Sequence, residues 1–211
     1  MMDLLKESAL AFQRLIGSDY IITAQKGEKR ICLTIYFERS QYLHLIGLNK
    51  LSDIPIFKGN SRSVFQNILD GKITYETIRQ SAFFESIRER ILFFPEIESL
   101  LYNEIILRFD QRKAYSTICA TMLLYRKQDD TYLHLFLIRD KAKADTLVPC
   151  SFFPRKDNKY IQRQQVYKIL SVRKVEHPPV GKSLEDRIRR AKDSSERVTD
   201  AHAEQRLTQE R

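Results

Sequence analysis

From residue 104 onward the hydrophobic pattern of this chain changes period, and that change decides what it can fold into. Short runs rich in aliphatic and aromatic residues fill segments 104–109, 116–126, 132–139, 147–153 and 165–175, the pattern of β-strands. Gln128-Asp129-Asp130-Thr131 supplies a hairpin turn between the second and third of them. Before residue 104 the period is mostly helical. Leu4, Leu5, Ala9, Phe12, Leu15 and Ile16 fall on one face of a helix over 3–16, which Gly17-Ser18-Asp19 ends. Segments 20–25 and 30–37 read as a hairpin around Lys26-Gly27-Glu28-Lys29. A helix over 61–69 carries Val64, Phe65, Ile68 and Leu69, with Gly71 to close it. Thr74 opens a short second helix. A third carries the stripe Phe84, Ile87, Ile91 and Phe94, and Pro95 starts a new segment or kinks it. The order of elements predicts an α+β fold, with N-terminal and central helices packed on an antiparallel β-sheet formed mainly by the C-terminal half.

A chain of 211 residues buries one good core. Its net charge of +9 favours an anionic partner such as nucleic acid. The charge is uneven. Between Arg155 and Lys174 seven cations face Asp157 alone, whereas from Pro178 on eight Lys/Arg are nearly balanced by seven Asp/Glu. The basic excess belongs to the body, so the reading divides the chain into a domain over 1–177 and a charged, mobile or helical tail over 178–211. The tail lacks an apolar face to dock it. Cys32, Cys119 and Cys150 have no metal-ligand spacing and sit in apolar, strand-like settings, which predicts buried free thiols. The N-terminus has no signal-peptide pattern, and no apolar run approaches the ~20 residues that span a bilayer. A cytoplasmic protein without a membrane partner is expected.

The six glycines form no phosphate loop, and no His, Cys or carboxylate set has metal-ligand spacing. No cofactor is expected, and metal-free chemistry is the enzyme class left. Within it, Tyr42-Leu43-His44-Leu45-Ile46-Gly47-Leu48 stands out, because it sets one histidine among apolar residues beside a glycine. Two readings stand. Enclosed by those neighbours and held rigidly, His44 is either a core histidine bonded to a backbone carbonyl or a proton-transfer group. RNA transesterification needs no metal, because the 2′-hydroxyl of the substrate is the nucleophile. A base, an acid and cations around the phosphorane suffice.

Two further segments carry candidates. Pro149-Cys150-Ser151-Phe152-Phe153-Pro154-Arg155 is followed by Tyr160-Ile161-Gln162-Arg163-Gln164-Gln165. One reading brings Ser151, Arg155, Tyr160 and Gln164 to one end of the sheet, facing a phosphate; the other makes them an irregular edge strand and a solvated loop. The polar loop from Arg108 to Ser116, with Lys113, either touches RNA or stays in water.

Taken in order, several pieces resemble a known family. They are Ile35-Tyr36-Phe37, the segment Tyr42 to Leu48, Asp70-Gly71-Lys72-Ile73-Thr74 with Ser81-Ala82-Phe83-Phe84, Leu107-Arg108-Phe109, and Cys150-Ser151-Phe152-Phe153-Pro154. The chain resembles, over about residues 10–175, the phage-associated Barnase–EndoU–Colicin–RelE-like nucleases, in particular their fourth group. Its His-Leu-x-Gly-Leu element is the strongest piece, with Ile46 where a small or hydroxyl residue is usual. The resemblance implies helices followed by a four-stranded antiparallel sheet. It also implies metal-independent RNase activity and a phage or mobile-element setting, toxin-like in role.

The reading is a metal-independent RNA endonuclease acting by acid/base-assisted transesterification. His44 is its general acid/base, with Ser151 and Tyr160 as donors near the scissile group. Arg155 and Arg163 are its phosphate clamp, and Gln164, Arg108 and Lys113 are substrate contacts. Its partners are RNA and, through the tail, an immunity protein or another protein. The rival is a non-catalytic nucleic-acid-binding or adaptor protein on the same fold. Convergence separates them: an enzyme needs its proton-transfer group and two or more basic or hydroxyl groups around one cleft.

Overall fold

The computed structural model describes residues 3–143 and 145–177; the expectations for 178–211 lie outside the described residues. Helix α1 (Leu4–Gln13) starts at Asp3, whose carboxylate accepts the Lys6 N–H at 2.9 Å. The hairpin β1 (Ser18–Lys26) and β2 (Lys29–Tyr36) follows, then α2 (Arg39–Ile46), α3 (Ser61–Leu69), α4 (Tyr75–Arg79) and α5 (Glu85–Phe93). Thr74 caps α4 through its hydroxyl, and Pro95 sits in the first turn of a 3-10 run over Phe94–Tyr102. Strands β3 (Ile105–Arg108), β4 (Met122–Gln128), β5 (Thr131–Arg139), β6 (Thr146–Arg155) and β7 (Gln165–Glu176) complete the described chain. The fold is α+β, as the order of elements predicts.

The strands close into a barrel in the order β1-β2-β6-β5-β4-β3-β7, with β7 returning to β1. Strand β7 pairs antiparallel with both β1 and β3, and so joins the N-terminal hairpin to the C-terminal meander. On the other side β2 meets β6 in a short parallel seam, Thr34 opposite Thr146 and Ile35 opposite Leu147. The sequence pattern predicts the hairpin and the meander but not their closure.

Closure gives the sheet an inside and an outside. Tyr20, Ile22, Leu33, Ile35, Leu124, Leu133, Leu135 and Tyr167 point inward, into a core continuous with the helices. Helices cover the end where β1 begins. There Phe94 meets Phe152 edge-on at 5.1 Å, and Phe12 touches Phe37, Tyr42, Phe65 and Phe94. Outside β3 to β6 lies a second, smaller cluster containing Leu107, Phe109, Leu123, Phe136 and Tyr160. It is covered by segments 109–121 and 156–164. The second of these is a crossover, because β6 and β7 run in the same direction.

Two expectations need correction. Residues 116–121 do not belong to a strand: pairing begins at Met122, opposite Arg108, while Ile118 and Ala120 pack on the outer cluster. The thiols are free, but Cys32 and Cys119 are exposed and Cys150 is only half-buried. Cys32 alternates with inward-facing Leu33 and therefore points out of the barrel.

Helix α2 ends at Gly47, whose φ of 87° is left-handed. A Cβ there would stand 2.8 Å from Ile87 Cγ2 and 3.3 Å from Arg90 Cδ, whereas at Gly71, φ 75°, nothing lies within 4 Å. Gly71→Ala is therefore expected to cost only the left-handed strain of about 1–2 kcal/mol. Gly47→Ala adds overpacking of about 1–3 kcal/mol. Urea denaturation of the two variants checks the order, and equal losses would contradict the close approach of α2 to α5.

Candidate functional site

Three clefts gather the polar side chains. The first, about 580 Å³, lies on the outer rim of the barrel; Arg108, Arg112, Lys113, Thr121 and Gln165 are among its walls. The side chains of Arg108, Arg112 and Lys113 make no ion pair among the described residues, though the Arg112 backbone N–H donates to the Asp110 carboxylate at 3.0 Å. The second, about 510 Å³, is the open mouth of the barrel and shares Arg108 and Thr121 with the first. It adds Lys29, Arg30 and Arg139. Together they make a cation-lined groove of the kind that tracks a phosphate backbone.

The third cleft, about 320 Å³, lies between α5 and β6, with Glu85, Glu89, Arg90, Phe153, Arg155 and Tyr160 in its walls. Arg90 is half-buried, stacks over the Phe153 ring at 5.4 Å, and has no carboxylate within 4.0 Å among the described residues. One of its N–H groups points to the Leu45 carbonyl at 3.5 Å. Lys50 feels this concentration of charge: burial first, and then Arg90, hold its ammonium below the usual lysine range. A guanidinium that is partly desolvated and unpaired is an anion site in search of its anion. Glu85 pairs with Arg88 at 3.5 Å, whereas Glu89 has no ion-pair partner among the described residues.

The residues picked from sequence divide among these places. Arg155 and Tyr160 stand together in the third cleft, with the guanidinium 5.4 Å from the Tyr160 ring centre. Arg155 is also held by both oxygens of Asp157, which draws the Asp157 carboxyl below the usual carboxylate range. Arg108 and Lys113 stand together in the first cleft. Gln164 is buried and acts as a clasp: its Oε1 accepts the Asp110 N–H at 2.8 Å and its Nε2 donates to the Asp110 carbonyl at 3.3 Å. It thereby ties the two segments that cover the outer cluster. Arg163 is exposed, with a left-handed φ of 60°. Ser151 lies on β6 opposite Phe136 and lines none of the three clefts.

The enclosure expected of His44 is corrected by the fold. Residues 39–46 are helical, so Tyr42, Leu43, Leu45 and Ile46 turn inward while His44 is exposed. It lines none of the three clefts. What this segment places is Arg90: Gly47 makes room for its stem and Leu45 accepts its N–H. From sequence alone α5 reads as a core stripe. Its signal was an arginine at the i+3 position from Ile87, beside Ile91, where an apolar residue would extend the stripe.

The tetrapeptide Tyr-Leu-His-Leu occurs twice, at 42–45 and at 132–135, and the second copy holds the enclosed histidine. His134 is fully buried on the outer face of β5, stacked with Phe136 and packed against Phe153 and Tyr160. Its Nδ1 lies 3.3 Å from the Phe153 carbonyl, while Nε2 has no partner among the described residues. The carbonyl can only accept, so Nδ1 carries a proton. Burial pushes its pKa down to about 4 from an ordinary 6.5. Between those values the unfolded chain takes up a proton that the folded one refuses. Stability therefore falls as pH drops through this window, by about 1.4 kcal/mol per unit. Urea denaturation at pH 7 and pH 5 is expected to show a steeper acid loss in the native protein than in His134→Phe. Equal slopes would contradict the neutral buried ring.

Among the described residues no three His, Cys, Asp or Glu side chains gather to hold a metal ion, and no helix is long and apolar enough to cross a membrane. Neither the curated proteins nor the solved structures include a significant match to this chain. A family does match, over residues 4–187, and with nearly the whole described fold inside that span the chain belongs to the phage-Barnase-EndoU-ColicinE5/D-RelE like nuclease4 family.

Proposed function

We propose that this protein cuts RNA without a metal, in the cleft between α5 and β6. The observation that carries the reading is Arg90, a half-buried guanidinium with no carboxylate partner among the described residues, beside an unpaired carboxylate and a phenol. The scissile phosphate lies on Arg90, with Arg155 at its edge. Glu89 takes the proton of the 2′-hydroxyl as that oxygen attacks phosphorus. The guanidinium stabilises the charge that grows on the phosphorane. The P–O5′ bond then breaks, and the Tyr160 hydroxyl supplies the proton of the leaving oxygen and recovers it from solvent. The products are a 2′,3′-cyclic phosphate and a 5′-hydroxyl.

His44 and Ser151 stand outside this cleft, so the proton-transfer role expected of His44 passes to Glu89. The groove through Arg108, Lys113 and the barrel mouth carries the flanking strand. The phage association in the family's description supports a cytoplasmic, toxin-like role in conflict with a host cell. A second reading, binding without cleavage, draws on that same groove, where the cations have few carboxylates to act as a base.

The test is purified protein with total RNA in excess chelator. The native protein is expected to give discrete fragments. Arg90→Ala should lose about 10²–10³ in rate and Glu89→Gln about 10²–10⁴, whereas His44→Ala should cut like the native protein. Intact RNA in every lane, with a salt-sensitive gel shift retained, would establish the binding reading instead. Loss of cutting in His44→Ala alone would move the chemistry away from Arg90.

A further inference from the structure

The mouth of the barrel has features that phosphate contact alone leaves unexplained. Its cavity of about 510 Å³ is of the size that holds small ligands (~300–1,000 Å³), and barrel mouths are places where such ligands bind. Its floor is apolar core: Leu33, Met122, Leu147 and Tyr167 line it, each at least nine-tenths buried. Tyr167 is 2% exposed as a residue, and its ring lines the cavity. A phenol whose ring lines a cavity can offer its hydroxyl to a polar atom of a ligand there.

The rim is set by strand periodicity. On β3 the inward row runs from Ile106 to Arg108, on β5 from Leu137 to Arg139, and on β2 from Leu33 through Ile31 to Lys29. Three strands thus end their inward-facing rows in a cation at the same end of the barrel, where an apolar residue would extend the core. One carboxylate, Asp145, answers them, 3.9 Å from Arg139. An apolar floor under a cationic rim, with one phenol between, matches one chemical unit: an apolar-faced base carrying a phosphate.

We propose that the barrel mouth is a nucleotide pocket, in which an unpaired base rests on Leu33, Met122 and Tyr167 while its phosphate is held by Lys29, Arg108 and Arg139. The pocket rests on the RNA reading only for the source of the nucleotide, a strand lying in the groove. A base held in this way is out of its helix, so the pocket selects single-stranded RNA over duplex. The Tyr167 hydroxyl gives it a preference among bases.

The 211-residue chain is titrated with a fluorescent eight-nucleotide 2′-O-methyl RNA, which cannot undergo transesterification. The same sequence as a duplex and the four nucleoside 5′-monophosphates are the other arms. The single strand is expected to bind at least tenfold more tightly than the duplex. Lys29→Glu with Arg139→Glu, both exposed and checked for folding by thermal unfolding, should weaken it at least tenfold. Tyr167→Phe, which keeps the packing, should change affinity for one mononucleotide by about 3–10-fold and spare the others. Mononucleotide binding without strand binding would assign the pocket to a free nucleotide. Equal affinity for strand and duplex, or native affinity in the rim variant, would overturn the proposal. RNA cutting in chelator is scored separately: if it persists while the rim variant binds normally, the pocket falls and the nuclease reading stands.

Discussion

Barrel closure through β7 is the constraint on which the rest of the architecture depends. One strand of twelve residues satisfies the edges of both β1 and β3, so the N-terminal hairpin and the C-terminal meander become one wall. A closed wall must have two ends and two faces. Helices fill one end with aromatic side chains; the other is left to the charged residues at which the inward rows stop. The outer face is covered by two irregular segments that Gln164 clasps together. Function then has a limited set of places to sit: the mouth, the outer rim, and the crevice where α5 passes β6.

The crevice is held by a close approach. With only hydrogen at Gly47, α2 ends near enough to α5 for Arg90 to reach the Leu45 carbonyl and lie over Phe153. The arginine is thus oriented by backbone and ring, with no carboxylate partner neutralising it among the described residues. An ion pair in the same position would be a structural bridge; a partly desolvated cation without one is a binding group. The enclosed His134 and the Tyr167 phenol at the barrel mouth differ in consequence. His134 stays neutral in an aromatic cluster and makes the fold acid-sensitive, while Tyr167 faces a cavity.

Local signals in the sequence were read well where a local cause exists. Thr74 and Pro95 mark the elements they begin, Asp129-Asp130 marks its turn, and α3 runs from Ser61 to Leu69 as its stripe predicts. Closure was not legible. The seam between Ile35 and Leu147 is two residue pairs long and joins segments more than a hundred positions apart. The two Tyr-Leu-His-Leu copies show the same limit more sharply. Gly47 ends a helix after one copy and the Asp129-Asp130 turn starts a strand before the other, so one histidine is exposed and the other enclosed. Arg155 with Tyr160, and Arg108 with Lys113, do meet, but in separate clefts. Glu89 and Arg90 were hidden in a helix stripe, because their meaning comes from what α2 and β6 bring against them.

The central claim is that the nucleophile is supplied by the substrate, with Arg90 and Glu89 assisting it. End-group analysis of fragments made in chelator, beside a substrate carrying a single 2′-deoxy nucleotide at the mapped cut, tests it most directly. The account predicts 2′,3′-cyclic phosphate and 5′-hydroxyl ends, and no cut at the deoxy position. Fragments with 5′-phosphate ends, or cutting of the deoxy substrate at the native rate, would contradict it.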